Sequence, residues 1–358
     1  MSNRIEAIRG ILRDLKLDGI VVTKNQNWYY LSGFTGSNAV LIITADDNLL
    51  VTDFRYLEQA AAEAGGFRII KPLAFVEDAV ADEITKLGLK RLGFEDENMP
   101  YRIYSSYGDK LPGVELVPLG QSLEKIRWVK DEREVAALRK AAAITDDAFD
   151  HIVDFIKPGV REAEIALEIE YFMKKKGAQR AAFEIIVASG PRAALPHGVA
   201  SQKIISGGEF VVLDFGAVYD GYHADMTRTV ITGRPDEKQR QIYDLVLRAQ
   251  EKAIEAIKPG VKCCVVDLAA RDMITVEGYG ANFGHGLGHS VGLEIHEKPS
   301  FTPRDETILE PGMVITVEPG VYLSGWGGVR IEDLIHVTND GYEILSKSPK
   351  YLRGGLRT

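Results

Sequence analysis

Carboxylate side chains interrupt stretches of this chain that otherwise have the composition of buried β-strands. The segment FVVLDFGAVYDGYHADMTRT, residues 210–229, has Asp214 at the end of an apolar run and Asp225 among small and β-branched residues. Aspartate is depleted in strands, and burying two like charges without a counter-ion costs several kcal/mol. These two carboxylates are therefore candidate ligands of a shared cation.

A tight hairpin would explain how the two aspartates come together. Asp220-Gly221, between alternating apolar residues, is a strong signal for a two-residue hairpin loop. With that loop Tyr219 faces Tyr222, and Asp220 serves only the turn.

The same register predicts the neighbours of the two carboxylates. Asp225 faces Gly216, and Asp214 lies one diagonal step away on the same face, at about 7–8 Å. We expect Gly216 to leave room for the cation. The alternative interpretation is a solvent-exposed polar face, or an Asx turn at Asp225.

Histidines form a second group of candidate ligands. Of the seven histidines, His285, His289 and His296 lie within GHGLGHSVGLEIHE, residues 284–297. The glycines and the spacing exclude a helical HExxH zinc site. One such histidine would more often be structural, but three in so short a segment favour a site.

Two glutamates complete the acidic set. Glu318 interrupts the strand-like MVITVEPGVY, and Glu332 lies near Arg330 in the strand-like VRIEDLIHV. The glutamates share a face only if the loop between the strands has an odd number of residues, which the pattern does not determine. A Glu–Arg surface pair is the alternative interpretation.

The combined residue types indicate a particular metal chemistry. Two aspartates, two glutamates and imidazole suit hard or borderline divalent ions such as Mn²⁺, Co²⁺ or Zn²⁺. Four carboxylates offset the charge of two such ions. A two-metal hydrolytic site is the hypothesis that uses all of these groups.

The elements that must position these residues fall into two predicted domains, 1–122 and 123–358. The first 120 residues alternate helix-like and strand-like segments, as in a small α/β unit. In the second, IKPGV occurs at 156–160 and at 257–261 in matching helix–turn–helix contexts. These repeats indicate a duplicated α+β half, which commonly has its site between the halves.

Composition narrows the possible function classes. The 358 residues carry a net charge of −9 with acids and bases mixed, which argues against a nucleic-acid surface. No long apolar run predicts a membrane span, and no signal-peptide core is evident at the start. The cysteines, Cys263 and Cys264, are adjacent and suit a reducing compartment, so we expect a cytoplasmic protein.

Taken in order, LDFGAVYDGYHADMTRT, GHGLGHSVGLEIHE, ITVEPGVY and GGVRIED resemble the pita-bread metallopeptidases of the prolidase and aminopeptidase P group. The resemblance covers about residues 125–350, and SGFTGS and TDFRY resemble the small N-terminal domain of that group. It implies an α+β fold, in which an internally duplicated pita-bread catalytic domain follows a smaller α/β creatinase-type domain.

The resemblance also implies roles for individual residues. The implied metal ligands are Asp214, Asp225, His289, Glu318 and Glu332. Asp225 and Glu332 would bridge two ions, Asp214 would bind one of them, and His289 and Glu318 the other. The ions expected are Mn²⁺, with Co²⁺ or Zn²⁺ as alternatives.

Catalytic and substrate-side residues follow from the same motifs. The implied catalytic residues are His197, His296 and Glu318, with a histidine donating to the developing oxyanion and Glu318 shuttling a proton. His285, Tyr322 and Arg330 are the implied substrate-side residues, and Arg330 also holds the bridging carboxylates.

For the activity, the resemblance implies cleavage of the Xaa-Pro bond at the N-terminus of peptides with proline at the second position. Dipeptidase-like members often place an arginine after HExP, whereas HEKPS has Ser300 there and Arg304 four residues on. We therefore expect an Xaa-Pro aminopeptidase, with an Xaa-Pro dipeptidase as the alternative. A non-catalytic peptide-binding relative is a remoter one. The resemblance further implies a homodimer.

Overall fold

The computed structural model describes residues 2–352. By its contacts the chain divides into two compact units, Met1–Arg127 and Trp128–Thr358. The domain bounds expected from the sequence, 1–122 and 123–358, stay a prediction. Met1 and residues 353–358 lie outside the described residues.

The first unit is an α/β domain built on a mixed sheet. Its helices are α1 (Ser2–Leu15), α2 (Asn25–Ser32), α3 (Leu57–Glu63), α4 (Val76–Lys86) and α5 (Tyr101–Lys110). Its strands are β1 (Gly19–Val22), β2 (Val40–Thr44), β3 (Asn48–Val51), β4 (Arg68–Ile70), β5 (Arg91–Phe94) and β6 (Glu115–Pro118). They are ordered β4-β3-β2-β1-β5-β6, with β1 antiparallel to β2 and parallel to β5. The predicted α/β alternation is confirmed, although the sequence patterns did not predict α2 and α5.

The second unit combines two helix pairs with antiparallel strands. Its helices are α6 (Glu132–Ile152), α7 (Glu162–Lys175), α8 (Glu237–Glu255) and α9 (Cys263–Val276). Strands of its first half are β7 (Arg180–Ala181), β8 (Ile186–Ser189), β9 (Phe210–Phe215), β10 (Ala217–Tyr219), β11 (Tyr222–His223) and β12 (Met226–Ile231). Strands of its second half are β13 (Gly288–Ser290), β14 (Glu297–Phe301), β15 (Val314–Val317), β16 (Gly320–Leu323), β17 (Gly327–Arg330), β18 (Asp333–Val337) and β19 (Tyr342–Ile344).

The two IKPGV turns occupy equivalent places in these halves. One joins α6 to α7 and the other joins α8 to α9. Gly159 and Gly260 both have positive φ, 96° and 86°, which glycine adopts without strain. Gly159 N donates to Ile205 O (3.0 Å), and Gly260 N donates to Leu309 O (2.9 Å). The repeated sequence therefore makes the same turn against an equivalent extended segment, next to the isolated bridges Arg161–Ile204 and Lys262–Ile308, as expected for a duplicated fold.

Strand β9 lies between the hydrophobic cores of the two halves. Val211 and Leu213 are buried with α6 and α7, whereas Phe210 and Val212 are buried with α8 and α9. Because side chains alternate along a strand, Asp214 shares the face of Phe210 and Val212. The face that carries Asp214 is thus directed to the second half of the unit.

Within the described residues, none of the helices is both long and apolar enough to cross a bilayer.

Candidate metal centre

The aspartate hairpin, β9 to β12, has the register predicted from the sequence. Tyr219 pairs with Tyr222 across the turn. Asp220 and Gly221 both have positive φ, 50° and 79°, as a type I′ loop requires. Beyond the turn, Asp214 pairs with Thr227. Asp220 therefore forms the turn, and Asp214 and Asp225 lie on one face of the hairpin.

The reason for a glycine at position 216 differs from the one expected. A Cβ at Gly216 would lie 1.7 Å from the carbonyl oxygen of Ala224 in the opposite strand. The missing side chain therefore makes room for backbone of the hairpin itself, and the expectation that it makes room for a cation is wrong. This close approach separates β9 from β10 and β11 from β12, immediately beside Asp225.

The glutamate hairpin, β15 to β18, is interrupted in a similar way. β15 pairs with β18, and β16 pairs with β17 in the same register, so Glu318 and Glu332 lie opposite each other in the interruption. The loop between β16 and β17 has three residues, 324–326. This is the odd number that brings the two glutamates to one face.

The two hairpins meet along β12. Glu332 N donates to Thr227 O (3.1 Å), and Thr227 Oγ1 donates to Glu332 Oε2 (2.6 Å). One step further, Thr229 Oγ1 donates to Arg330 O (2.8 Å). These bonds join the acidic faces of the two hairpins into one site.

Three carboxylates of this site lie close enough to share an ion. Asp214, Asp225 and Glu332 are buried, and one oxygen of each lies within 4.8 Å of the others. Burial raises the pKa of Asp225 well above its usual range, and Glu332 and Asp214 raise it further. Burial likewise raises the pKa of Glu332, together with Glu318 and Asp214. Like charges at this separation need a counter-ion or protons.

Two carboxylate oxygens of this cluster lack hydrogen-bond donors among the described residues, which bears on whether a metal ion fits the site. Asp214 Oδ1 and Glu332 Oε1 are buried and accept no hydrogen bond within residues 2–352. A buried carboxylate oxygen normally has a donor or a metal ion as its partner. The donor set, its charge and these two oxygens all fit divalent ions.

His289 borders the cluster in the orientation of a ligand. Its Nδ1 lies 3.1 Å from Ser290 O, and donation to that carbonyl leaves the lone pair on Nε2. Nε2 lies 3.6 Å from Asp225 Oδ2 and 3.3 Å from Glu318 Oε1. Burial lowers the pKa of His289, which favours the neutral ring that binds metals. Asp225 thus belongs both to the carboxylate cluster and to the group around His289.

Arg330 is a cation that links the two hairpins. Its guanidinium donates to Asp214 Oδ2 in a short contact, to Thr227 Oγ1 (3.0 Å) and to Pro196 O (2.9 Å). Its remaining contact is with Tyr322 OH (3.1 Å). Arg330 therefore orients a carboxylate and a neighbouring loop as well as balancing charge.

The contact with Tyr322 begins a directional hydrogen-bond chain. His285 Nε2 lies 2.9 Å from Tyr322 OH, and its Nδ1 lies 2.7 Å from Gly286 O. Burial lowers the pKa of His285, so a neutral ring donates from Nδ1 and accepts at Nε2. Tyr322 OH consequently donates to His285 and accepts from Arg330. This chain fixes the ring that was predicted on the substrate side.

Of the two remaining predicted histidines, His296 packs against His289. The rings of His296 and His289 are 4.4 Å apart, edge to face. Burial lowers the pKa of His296, and His289 and His197 lower it further. His197 is exposed, on the loop before β9.

All of the predicted site residues line one cavity of about 840 Å³. They are His197, Asp214, Asp225, His285, His289, His296, Glu318, Tyr322, Arg330 and Glu332. Other residues of the wall include Phe183, Glu184, Ile295 and Ser300. Arg304 is not part of the wall within the described residues.

The sequence patterns did not predict the residues that contact the backbone of the proposed ligands outside the cavity. Arg228 is almost fully buried and donates to Glu332 O, to Asp333 Oδ1 (2.7 Å) and to Ser348 O (2.8 Å). One feature of the sequence could have indicated this role, because Arg228 is a charged residue inside the otherwise strand-like run MTRTVI. An arginine there needs buried acceptors, which the adjacent glutamate hairpin supplies.

Comparison with family models accounts for nearly the whole chain. A model of metallopeptidase family M24 matches residues 136–339. A model of the creatinase/prolidase N-terminal domain matches residues 4–129. The chain belongs to metallopeptidase family M24. It is accordingly a metallo-exopeptidase that uses divalent metal, with the catalytic unit of the pita-bread fold.

Individual relatives extend this result over the full length. A solved structure of an Xaa-Pro dipeptidase from Bacillus anthracis is 46% identical with a TM-score of 0.96, covering 98% of this chain and 99% of the other. An Xaa-Pro dipeptidase of Pyrococcus horikoshii is 40% identical over 98% of this chain and 99% of its own. An X-Pro aminopeptidase structure from Thermotoga maritima is 36% identical with a TM-score of 0.90, covering 96% of this chain and 99% of the other.

Proposed function

We propose that this family M24 enzyme hydrolyses Xaa-Pro dipeptides. The observation that carries the proposal is the 46% identity and TM-score of 0.96 to a protein described as an Xaa-Pro dipeptidase, over 98% of the chain. A second relative with that description is 40% identical over the same share. These likenesses support the dipeptidase alternative better than the aminopeptidase that the sequence led us to expect.

We further propose two ions, Mn²⁺ first and Co²⁺ or Zn²⁺ as alternatives, held by the five predicted ligands. Asp214, Asp225 and Glu332 form one group of oxygens within 4.8 Å. Asp225, His289 and Glu318 form a second group around the histidine. Asp225 belongs to both groups, which supports its role as a bridging ligand, and Glu332 is proposed as the other bridge.

The chemistry divides between the ions and the side chains. Bound divalent ions would supply Lewis-acid polarisation of the scissile carbonyl and a nucleophile at neutral pH. Glu318, held by Thr316 Oγ1 (3.1 Å), accepts a proton at a carboxylate oxygen and delivers it to the departing proline nitrogen. His296, or His197 beside it, donates a hydrogen bond to the carbonyl oxygen as negative charge develops there.

The protein residues proposed to face the substrate lie on the remaining wall of the cavity. His285 is fixed by Tyr322 and presents its ring to the proposed prolyl side. Arg330 contacts both Asp214 and Tyr322, and it thereby fixes the proposed metal ligand relative to the proposed prolyl pocket. Both residues therefore orient groups that contact the ions or the peptide.

An Xaa-Pro aminopeptidase is the second candidate, and one observation favours it. A dipeptide ends in a free proline carboxylate, which a cationic side chain would bind well. Among the described residues of the cavity wall, Arg330 is the one arginine or lysine, and it is engaged with Asp214. Ser300 is the wall residue where dipeptidase-like members often have an arginine. The X-Pro aminopeptidase of Thermotoga maritima shares the fold.

Hydrolysis of Ala-Pro and of Ala-Pro-Ala under saturating Mn²⁺ separates the two candidates. The dipeptidase proposal expects a higher kcat/KM for Ala-Pro, and little cleavage of the tripeptide. A higher kcat/KM for Ala-Pro-Ala would reject it in favour of the aminopeptidase. Ala-Ala and Ala-Ala-Ala are the matched controls, since neither candidate should cleave a bond that does not precede proline.

Homodimer formation and a cytoplasmic location, both predicted from the sequence, are further proposals. Light scattering on the purified protein tests the first, and a molar mass close to twice the 39.5 kDa chain is expected. Cell fractionation tests the second, with the activity expected in the soluble fraction.

A further inference from the structure

A buried ion pair lies beside the catalytic cavity and has no part in the mechanism above. Lys130 Nζ is 3.2 Å from Glu297 Oε2, and the two side chains are only 1% and 4% exposed. Lysine is almost never buried to this extent unless it is paired. A buried pair contributes little net stability compared with apolar residues, so stability alone does not account for a lysine and a glutamate at these positions.

The carboxylate of Glu297 is the centre of a tight turn. Glu294 N donates to Glu297 Oε1 (3.3 Å). A Cβ at Gly292 would lie 2.6 Å from Glu297 Oε2, so the backbone of the turn packs directly against the carboxylate. The carbonyl of Gly292 in turn accepts from His223 N (2.9 Å) on the aspartate hairpin. Residues 292–297 are therefore wrapped around one charged group.

This turn carries His296, the proposed donor to the carbonyl oxygen, and it follows the strand that carries His289. His296 directly precedes Glu297, and its ring is 4.4 Å from that of His289. Strands β13 and β14 pair Ser290 with Glu297, with a register shift between His289 and Ser290. A displacement of the Glu297 carboxylate would thus move the backbone at His296 directly, whereas His289 lies beyond the register shift and outside the turn.

Lys130 is itself held by two backbone carbonyls, one from its own segment and one from the segment before β15. Its N donates to Gly312 O (2.9 Å), and its Nζ also lies 3.3 Å from Trp128 O. Asp131, the next residue, caps the N-terminus of α6 by accepting from Arg133 N and Glu134 N. The ammonium group is consequently held at a fixed position relative to α6 and the start of β15.

We propose that Lys130 and Glu297 are positioning residues that set the place of His296 in the cavity. The ammonium neutralises and orients the buried carboxylate, and the carboxylate shapes the turn that carries the histidine. The inference rests on the proposed role of His296 as a donor to the carbonyl oxygen. It predicts an effect on the chemical step, separate from any effect on stability.

The experiment compares Lys130→Met, Glu297→Gln and the double variant in the full-length enzyme with Mn²⁺. Each single change leaves a buried group without its charged partner, and we expect a lower Tm and a kcat lower by about 10- to 100-fold. Removing both charges together should restore the Tm to near wild type. Because the turn has then lost its charged centre, kcat should stay low while KM and Mn²⁺ affinity change little.

Two further variants keep the outcome decisive if a single variant folds poorly. Lys130→Arg retains the cation and should recover part of kcat. Lys140→Met, on the exposed side of α6, is the matched control and should behave as wild type. A double variant with both wild-type Tm and wild-type kcat would overturn the inference, because the pair would then be purely structural.

His296→Ala distinguishes failure of this inference from failure of the proposed mechanism. We expect this change to lower kcat by about 100-fold or more. If it does, and the double variant is fully active, the positioning role of Lys130 and Glu297 is rejected while the proposed role of His296 stands. If His296→Ala retains full kcat, both are rejected.

Discussion

The aspartate hairpin and the glutamate hairpin both place acidic residues in the site, but their strand pairing is interrupted for different reasons. Each brings carboxylates into a buried site at an interruption between paired strands. In the aspartate hairpin the interruption comes from the close approach of Gly216 and the Ala224 carbonyl. In the glutamate hairpin Pro319 follows Glu318 at the equivalent place, and proline lacks the backbone donor that a continuous ladder requires.

The difference between the hairpins lies in their cations. The glutamate hairpin carries Arg330, whose short contact is with Asp214 of the other hairpin. The aspartate hairpin carries Arg228, which donates to Glu332 O and to Asp333. Each hairpin thus supplies a cation to a carboxylate of the other, Arg330 to Asp214 and Arg228 to Asp333, so both ion pairs form only when the hairpins have docked. The proposed metal site is therefore a property of the duplicated fold rather than of either half.

The largest effect should come from the carboxylate that belongs to both ligand groups. Asp225→Asn removes the proposed bridging charge. If metal contributes about 4 kcal/mol of transition-state stabilisation, kcat/KM should fall ~10³-fold. The metal-free variant should stay folded, because the change removes like-charge repulsion from Glu332 and Asp214.

Thermal unfolding with and without Mn²⁺ checks this prediction independently of activity. A ligand at 100 times its Kd stabilises the folded state by about 2.7 kcal/mol, so wild type should gain Tm and Asp225→Asn should not. Asp220→Asn is the matched control, since position 220 lies in the turn and asparagine accepts a positive φ. Full activity in Asp225→Asn would contradict the bridging role.

Gly216→Ala tests whether the interruption of the aspartate hairpin depends on backbone contact. The added Cβ would meet the Ala224 carbonyl at 1.7 Å, and overpacking of this kind costs about 1–3 kcal/mol of unfolding free energy. Because Asp225 follows Ala224, Mn²⁺ affinity should fall with stability. Gly108→Ala, with nothing within 4 Å, should not destabilise. An unchanged Tm in Gly216→Ala would mean that the hairpin tolerates a wider separation.

The two hairpins also differ in how well their strand register could be predicted from the sequence. The aspartate hairpin was predictable in register because a two-residue loop fixes every pair, and Asp220-Gly221 is a local signal. The glutamate hairpin was not, because its face depends on a loop length that glycines at 325, 327 and 328 left undetermined. Only the structure shows the loop of three residues.

Contacts between residues far apart in the chain were also beyond the sequence patterns. Arg228, Thr227 and the Lys130–Glu297 pair have their partners 100 or more residues away along the chain. Local periodicity reports which side of an element is buried, and it does not report what lies opposite. The family resemblance supplied the ligand roles, whereas the contacts that hold those ligands required coordinates.

Arg330→Lys tests the cation that the glutamate hairpin provides. Lysine keeps the charge but loses the planar fork that contacts Asp214, Thr227 and Tyr322 together. Loss of such outer contacts typically costs about 10- to 100-fold in metal affinity or activity, and we expect this range in kcat/KM and in Mn²⁺ titration. Arg304→Lys, at an exposed position outside the cavity wall, is the control. Equal activity of the two variants would show that charge alone suffices.

A smaller effect is expected at the direct bond between the hairpins. Thr227 Oγ1 donates to Glu332 Oε2 (2.6 Å) and accepts from Arg330 Nε (3.0 Å). Thr227→Val keeps the shape and removes both bonds, which leaves Glu332 less well oriented. Mn²⁺ affinity should fall about tenfold, and Thr227→Ser should retain most of it.

The next threonine on the same face separates orientation of a ligand from stability of the strand pair. Among the described residues, Thr229 Oγ1 bonds only backbone atoms of Arg330, accepting from its N (3.1 Å) and donating to its O (2.8 Å). Thr229→Val should therefore cost about 1 kcal/mol of unfolding free energy and leave Mn²⁺ affinity nearly unchanged. Isothermal titration of the two valine variants measures the difference. Equal losses of Mn²⁺ affinity would mean that contact between the hairpins, rather than the hydroxyl at Glu332, holds the ligand in place.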